Sequence, residues 1–427
     1  MKKLLSIALL MALISPQAFA TKARLIALGM DELDNEGSYY IEDSRNIFLN
    51  AANVNDYADT VIFEWGEDGL FPGTNNTFAS YDTDGKPKAQ GGFLKSYGDM
   101  VYGLYLGNES NTSSLLKILS TAPSTAATGK FLDSSDNQID VFLGKNMSGI
   151  DWGLNFVYTS SEFESIDSED SGYAVRLGAK SEGWNAFLNA SVGGESKKTV
   201  AQADAVGTTT ADVTQSFDGN IGIHVGGGYD INDDGRIYAY FKRFGWDQFD
   251  SEGEVTALGD RGQEGTVEGS FDTYSVGYGH TVEHEDGTLF TDIHVRKRNI
   301  EVDFNEKAEV DELIVPITIG YEAAATSWLT LRGSVKYNLY GVTKNNNFDQ
   351  LNPVIDPLAE NIFGKDTDGK KATIRDSTIV NTGASLTFGD LVVDGLIGTT
   401  LSGNSRVGSD SLTLDEVMAR VGATYSF

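Results

Sequence analysis

The side chains most able to do chemistry are six basic residues, each set among apolar residues that recur at every second position. In an extended chain successive side chains point to opposite faces, so bases spaced by two or four share one face. Charges gathered on one wall interact with passing ions of the opposite sign. The pattern therefore predicts a basic wall made of Arg176, Lys180, Arg296, Arg298, Arg332 and Lys336.

Catalysis would need a nucleophile, a base and a group that orients the base. The chain has four histidines and no cysteine. His294 lies two residues after Asp292, but two residues of one strand do not make a triad. The absence of cysteine excludes a thiolate metal site and a cysteine nucleophile. We expect no enzyme, no catalytic residue, no metal site and no cofactor.

Composition narrows the classes of partner. The 62 acidic residues outnumber the 32 basic ones, and the net charge is −30. Binding to nucleic acid needs a basic surface, so we expect no nucleic-acid partner. The 48 glycines, 7 prolines and 11% aromatic residues favour strands and turns over disorder.

The first twenty residues have the three parts of a secretory signal peptide. Lys2 and Lys3 precede an apolar run, and Ala18-Phe19-Ala20 fits the cleavage pattern. The apolar run is shorter than the roughly 20 residues that span a bilayer as a helix. We predict that 1–20 is cleaved and that the rest of the chain is exported.

Beyond residue 20 the hydrophobic period is two. In the clearest segment Leu329, Leu331 and Val335 face away from Arg332 and Lys336. An amphipathic helix would place its apolar residues three and four apart instead. Such segments predict strands with one apolar and one polar face.

The connections between these strands alternate between short turns and long acidic stretches from residue 60 onward, which is typical of an outer-membrane barrel. We predict an all-β fold, a transmembrane antiparallel β-barrel of about sixteen strands over 60–427, with short periplasmic turns and long outer loops. Fourteen or eighteen strands stay compatible with the pattern, and a soluble β-sandwich is the alternative fold. The predicted short turns are 98–99, 146–150, 181–183, 230–235, 282–287, 322–327 and 389–390.

The last strand ends on an aromatic residue. Tyr425 and Phe427 continue an apolar stripe of every second residue. This ending resembles the C-terminal sorting strand of bacterial outer-membrane barrels. The resemblance implies that both residues form the assembly signal read by the barrel assembly machinery.

Over nearly its whole length the chain resembles the outer-membrane porin class. That resemblance permits a homotrimer, and it implies that the six basic residues line a pore. It also implies that Glu162, Glu164 and Asp167 of the third long loop oppose them as constriction-loop acids. Alternatively, these acids are solvated and bind cations that bridge lipopolysaccharide.

A second resemblance is local. Arg24-Leu25-Ile26-Ala27-Leu28-Gly29-Met30, followed by the stretch from Asp43 to Ala52, is similar to the start of fatty-acid-channel transporters of hydrophobic compounds. Ala51 stands where that family usually has proline. The resemblance implies that 21–59 forms a periplasmic or plug-like N-terminal segment.

These features predict an integral protein of the Gram-negative outer membrane, in contact with lipid and lipopolysaccharide. The leading hypothesis is a porin, a water-filled channel for passive diffusion of small hydrophilic solutes and ions. One alternative is a transporter of hydrophobic compounds with an N-terminal plug. The other is a structural or adhesive barrel with a blocked lumen.

Overall fold

The computed structural model describes eleven stretches of the chain: 21–30, 36–66, 88–108, 138–163, 168–203, 210–250, 265–303, 307–346, 371–373, 378–402 and 420–427. The predicted signal peptide, 1–20, lies outside them. Among the described residues, no helix combines the length and the apolar character needed to cross a bilayer.

Antiparallel strands make up almost all of the described chain. They are β1 Thr60–Gly66, β2 Lys88–Tyr97, β3 Met100–Leu106, β4 Gln138–Met147, β5 Ile150–Phe163, β6 Ser168–Ser181, β7 Trp184–Ala203, β8 Thr210–Gly219, β9 Gly222–Asp230, β10 Gly235–Asp250, β11 Gly265–His284, β12 Gly287–Asp303, β13 Lys307–Ala324, β14 Leu329–Asn346, β15 Lys371–Thr373, β16 Thr378–Phe388, β17 Leu391–Ser402 and β18 Arg420–Ser426.

These segments form one closed sheet. Most pair with their neighbours along the chain, and β1 pairs with both β2 and β18, so the described strands form a continuous ring. Two wall strands are interrupted: β8 and β9 both lie between β7 and β10, and β15 and β16 both pair with β14. The eighteen segments are therefore sixteen barrel strands, and the predicted fold class is confirmed.

All seven predicted short turns are present at one end of the barrel. They join β2 to β3, β4 to β5, β6 to β7, β9 to β10, β11 to β12, β13 to β14 and β16 to β17. The other connections fall within the acidic stretches of the sequence, but some are shorter than predicted. β5 runs to Phe163 and β6 begins at Ser168, and β12 runs to Asp303 and β13 begins at Lys307.

The two faces of the wall differ as the alternation predicts. On β14, Leu331 and Val335 are 45% and 46% exposed, while Arg332 and Ser334 point inward and are buried. Exposed apolar side chains in a closed barrel need a nonpolar solvent, which the bilayer supplies.

Aromatic residues mark the end of the barrel that carries the short turns. Tyr97, Tyr229, Trp328 and Phe388 lie beside these turns and are all more than half exposed. Such girdles stand at the membrane interface of outer-membrane barrels. The chain is an integral outer-membrane barrel whose short turns face the periplasm.

Residues 21–30 and 36–58, called here the inner segment, lie within the barrel. They contain helix α1 (Lys22–Ala27) and two 3₁₀ helices, Ser44–Ile47 and Ala51–Asn55. The side chains of Asp43 and Asn50 cap the two 3₁₀ helices by accepting from Arg45 N and Ala52 N. The largest fully buried apolar side chains of the inner segment are Phe48, Leu25, Ile26, Leu28, Ile41, Ile47 and Val54. The main hydrophobic core thus lies where the segment meets the wall.

Candidate functional site

Three glycines of the wall support the inner segment. Gly144, Gly153 and Gly178 pair side by side on β4, β5 and β6, and all three face inward. A Cβ on Gly153 or Gly178 would meet the backbone at Ala51 and Ala52. The three residues, called here the glycine ladder, let the second 3₁₀ helix lie directly on the sheet.

An apolar cluster holds the middle of the inner segment. Phe48 packs edge-on against Tyr105 and Phe142, with ring centroids 5.0 and 5.6 Å apart. The guanidinium carbon of Arg45 lies 4.3 Å from the centroid of the Phe48 ring. All of these side chains are buried, so the interface excludes water.

Buried ion pairs connect α1 to the opposite side of the wall. Arg24 lies 3.0 Å from Asp43 and 2.9 Å from Glu322 of β13. Arg332 of β14 bonds the same Glu322 at 2.5 Å and Asp394 of β17 at 2.7 Å. The side chains form one chain of alternating charge from the inner segment to three wall strands.

A second ion pair fixes the point where the inner segment enters the wall. Arg45 Nη1 donates to Glu64 Oε2 of β1 at 2.9 Å. Glu64 also accepts from Tyr105 Oη at 2.7 Å and from the backbone N–H of Lys22 at 2.5 Å. The Glu64 carboxylate is therefore fully bonded although it is buried.

Glu36 makes the third charged contact. Its carboxylate lies 3.0 Å from His224 Nδ1 and 3.8 Å from Lys242 Nζ. Burial alone would raise the pKa of Glu36, but Lys242, His224 and Arg176 together lower it to about 2. The carboxylate therefore stays ionised at neutral pH.

An aromatic cluster lies beside Glu36 and consists of Tyr39, Tyr40, Phe187, Tyr238 and Tyr240. The Tyr39 ring is nearly parallel to Tyr238 and Tyr240, at centroid distances of 5.1 and 4.5 Å. Glycines on neighbouring strands leave room for these rings. A Cβ on Gly277 would overlap Tyr238, and one on Gly279 would overlap Tyr40. A Cβ on Gly226 would overlap both Phe187 and Tyr240.

A cavity of about 370 Å³ opens between this cluster and the short turns. Tyr39, Phe187 and Tyr238 line its inner part, and Lys180 and Asp230 lie nearer the periplasmic end. Its volume falls within the range of small-molecule sites. A small ligand therefore has room between the inner segment and the wall.

The six predicted basic residues occupy different environments. Arg176 is buried on β6, bonded to Asp140 at 2.7 Å and Asn155 at 2.5 Å. Arg332 makes the two ion pairs described above. Arg296 and Arg298 each lie 3.9 Å from Glu312, Lys180 pairs with Asp56, and Lys336 is half-buried. Their role as pore lining stays a prediction.

The remaining predicted residues lie at the two ends of the barrel. Glu162 is exposed near the end of β5, whereas Glu164 and Asp167 lie outside the described residues. Phe427 is 55% exposed and lies under Lys95, with Nζ 4.5 Å from the ring centroid. Tyr425 stacks on Phe427 at 6.4 Å. The constriction and assembly roles stay predictions.

Sequence reasoning missed two parts of the site. The acids that pair with the basic residues, Asp140, Glu312, Glu322 and Asp394, lie on the same inward stripes, so the alternation could have revealed them. The aromatic cluster could have been suspected from Tyr238 and Tyr240, which share one face of β10. Within the described part of the chain, no group of three or more potential metal-ligating residues is found.

Comparison with known proteins gives structural matches alone. No family model and no curated protein matches the chain. A FadL homologue of Pseudomonas aeruginosa is 11% identical, with TM-score 0.41 and coverage of 94% of this chain and 98% of that one. A deltaS2 mutant of the TodX monoaromatic hydrocarbon channel is 11% identical, with TM-score 0.38 and coverage of 94% and 99%. OmpT, a Vibrio cholerae outer membrane protein in trimer form, is 14% identical, with TM-score 0.32 and coverage of 86% and 97%.

The prediction of a porin with an open, water-filled channel is wrong. The inner segment packs inside the barrel and is joined to the wall by buried apolar contacts and ion pairs. The sequence argument failed because it treated the inward faces as a lining for water, whereas many of them contact protein.

Proposed function

We propose that the chain transports small hydrophobic compounds across the outer membrane without catalysis, with the inner segment as its plug. The observation that carries the proposal is the occupied lumen, in which an ion-paired segment adjoins an aromatic cluster and a cavity. An uncharged apolar molecule can move between aromatic side chains without a hydrated channel, because burial of its surface is favourable.

The cavity supports a route around the plug. It begins at the aromatic cluster and reaches the short-turn end beside Gly149 and Gly183. Aromatic side chains lie at its inner part, and polar and charged side chains make up most of the remaining lining. A hydrophobic compound would therefore bind in the inner part and leave toward the periplasm.

The names of the similar solved structures agree with this class of substrate, since TodX is described as a monoaromatic hydrocarbon channel and TbuX as a toluene transporter. The proposed partners are outer-membrane lipid, lipopolysaccharide and the barrel assembly machinery. A homotrimer is also retained as a proposal.

Uptake of labelled toluene tests the proposal in cells with and without the chain. We expect faster uptake with the chain, and low ion conductance when the purified protein is reconstituted in planar bilayers. Stable large conductance without toluene uptake would overturn the proposal. Low conductance without uptake would favour the blocked structural barrel.

A disulfide between the inner segment and the wall tests whether transport requires the plug to move. The chain has no cysteine, so Ala27→Cys with Gly383→Cys introduces a single pair. Ala27 lies directly against Gly383 of β16, and a Cβ at Gly383 would be 2.7 Å from that of Ala27. Gly383→Cys alone is therefore the control for overpacking. Oxidation should slow toluene uptake and reduction should restore it, whereas Ala27→Cys alone should respond to neither. Equal uptake in both states would show that the plug need not move at α1.

A further inference from the structure

The inner segment places a phenol ring on two tyrosines of the wall. Tyr238 and Tyr240 are two residues apart on β10, so their side chains lie on the same inward face. Tyr39 is nearly parallel to both, with interplanar angles of 9° and 7°. Its centroid distances, 5.1 and 4.5 Å, are those of favourable offset stacking. The two wall rings, called here the tyrosine platform, therefore hold one planar ring.

A polar group stands at the edge of this ring. Tyr39 Oη lies 3.1 Å from His224 Nε2, and His224 Nδ1 lies 3.0 Å from Glu36 Oε2. Because the Glu36 carboxylate can only accept, Nδ1 carries a proton, and in the neutral imidazole Nε2 then accepts. Tyr39 Oη is placed to donate to that nitrogen. The site therefore binds a planar ring by stacking and the hydroxyl group of the same ring by a hydrogen bond.

The ring of Tyr39 also borders the cavity. Tyr39 is half-buried, and it lines the cavity together with Tyr238 and Phe187. A molecule in the cavity is therefore next to the position that Tyr39 fills. The Tyr39 side chain is itself a phenol, so it occupies the tyrosine platform as a free phenol would.

We propose that the tyrosine platform and His224 form a binding site for single-ring phenols, and that Tyr39 fills this site until a substrate displaces it. This inference rests on the proposed transport of hydrophobic compounds and names their class. Phenols should bind better than rings without a hydroxyl, because only phenols replace the bond to His224.

Binding of p-cresol and toluene to the full chain in detergent tests the site by calorimetry. Tyr39→Ala should bind p-cresol at least about tenfold more tightly than the unchanged chain, since the internal competitor is gone. One added hydrogen bond corresponds to a preference of roughly three- to tenfold for p-cresol over toluene. His224→Phe combined with Tyr39→Ala should keep toluene binding and lose that preference.

Tyr40→Ala is the matched control, because it removes an equal ring that lies over Gly279. The Tyr40→Ala variant should gain no preference for p-cresol over toluene. Equal p-cresol binding by the Tyr39→Ala and Tyr40→Ala variants would overturn the proposal, because any vacated space would then accept the ring. An unchanged preference after His224→Phe would also overturn the assigned role of His224.

A measurement on the unsubstituted chain avoids dependence on the folding of the variants. With 3-fluorotyrosine incorporated, the Tyr39 fluorine resonance, assigned by its loss in Tyr39→Phe, should shift as p-cresol is added. A resonance unmoved at saturating p-cresol would contradict displacement. Toluene uptake with no p-cresol binding would reject the phenol site alone, whereas p-cresol binding with no uptake of either compound would reject the transport function alone.

Discussion

The backbone of Ala51 lies directly on Gly153, so the inner segment and β5 touch where the wall has no side chain. A Cβ on Gly153 would overlap the carbonyl group of Ala51. Gly144 and Gly178 give the same access on the two neighbouring strands. The glycine ladder is thus the structural condition for seating the second 3₁₀ helix.

Gly153→Ala should displace the second 3₁₀ helix, because the new methyl group occupies the position of the Ala51 backbone. Overpacking of this kind costs about 1–3 kcal/mol. Limited proteolysis should then cut the inner segment faster, and ion conductance should rise. The control is Gly333→Ala, whose Cβ would make only an ordinary contact of 3.5 Å with Asn381. Equal protease resistance in both variants would contradict the role of the ladder.

Arg24→Gln should loosen α1, because Asp43 and Glu322 would lose a shared buried cation. Removing one partner of a buried pair typically costs about 3–5 kcal/mol. The measurement is the denaturant concentration at which the inner segment becomes accessible to protease. Lys95→Gln breaks the exposed pair with Asp59 and should cost no more than about 1 kcal/mol. Equal denaturant midpoints for Arg24→Gln and Lys95→Gln would contradict a stabilising role for the buried ion pairs of Arg24.

Acid should weaken the seating of the inner segment near Glu36. The pKa of this carboxyl group is lowered to about 2 from an ordinary value near 4.5. Its ionised form is therefore bound more favourably in the folded protein. The contribution is fully present above about pH 4.5 and is lost as the pH falls through about 2.

The corresponding measurement is proteolytic protection of the inner segment after brief exposure to acid between pH 5 and 2. Protection should fall across this window in the unchanged chain. Glu36→Gln should flatten that part of the profile, because its amide does not titrate there. Identical profiles for both proteins would exclude a contribution from Glu36.

Phe427→Ala should reduce the amount of assembled barrel in cells while leaving the refolded protein nearly as stable. The Phe427 ring is more than half exposed and contacts Lys95 and Tyr425, so little packing is lost. Heat-modifiable migration on gels measures assembly in cells, and thermal unfolding measures the refolded protein. An equal loss in both assays would assign Phe427 a purely structural role.

The wall was predictable because its information is local. Adjacent residues such as Leu331 and Arg332 reveal which face of a strand is apolar and which is polar. Turns such as 98–99 are likewise visible in a few consecutive residues between two strands. The contents of the lumen depend on contacts distant in sequence, such as Arg24 with Glu322. No hydrophobic period marks the inner segment, and only the partial resemblance of residues 24–52 to fatty-acid-channel transporters pointed to its position.

The closure of the sheet determines the order of assembly in the membrane. β1 follows the inner segment directly and pairs with β18, which comes last in the order of the described strands. Once this seam forms, the wall is continuous and α1 has no lateral way in. We therefore expect the inner segment to be gathered inside a still-open sheet, since after closure it could enter only through an end of the barrel.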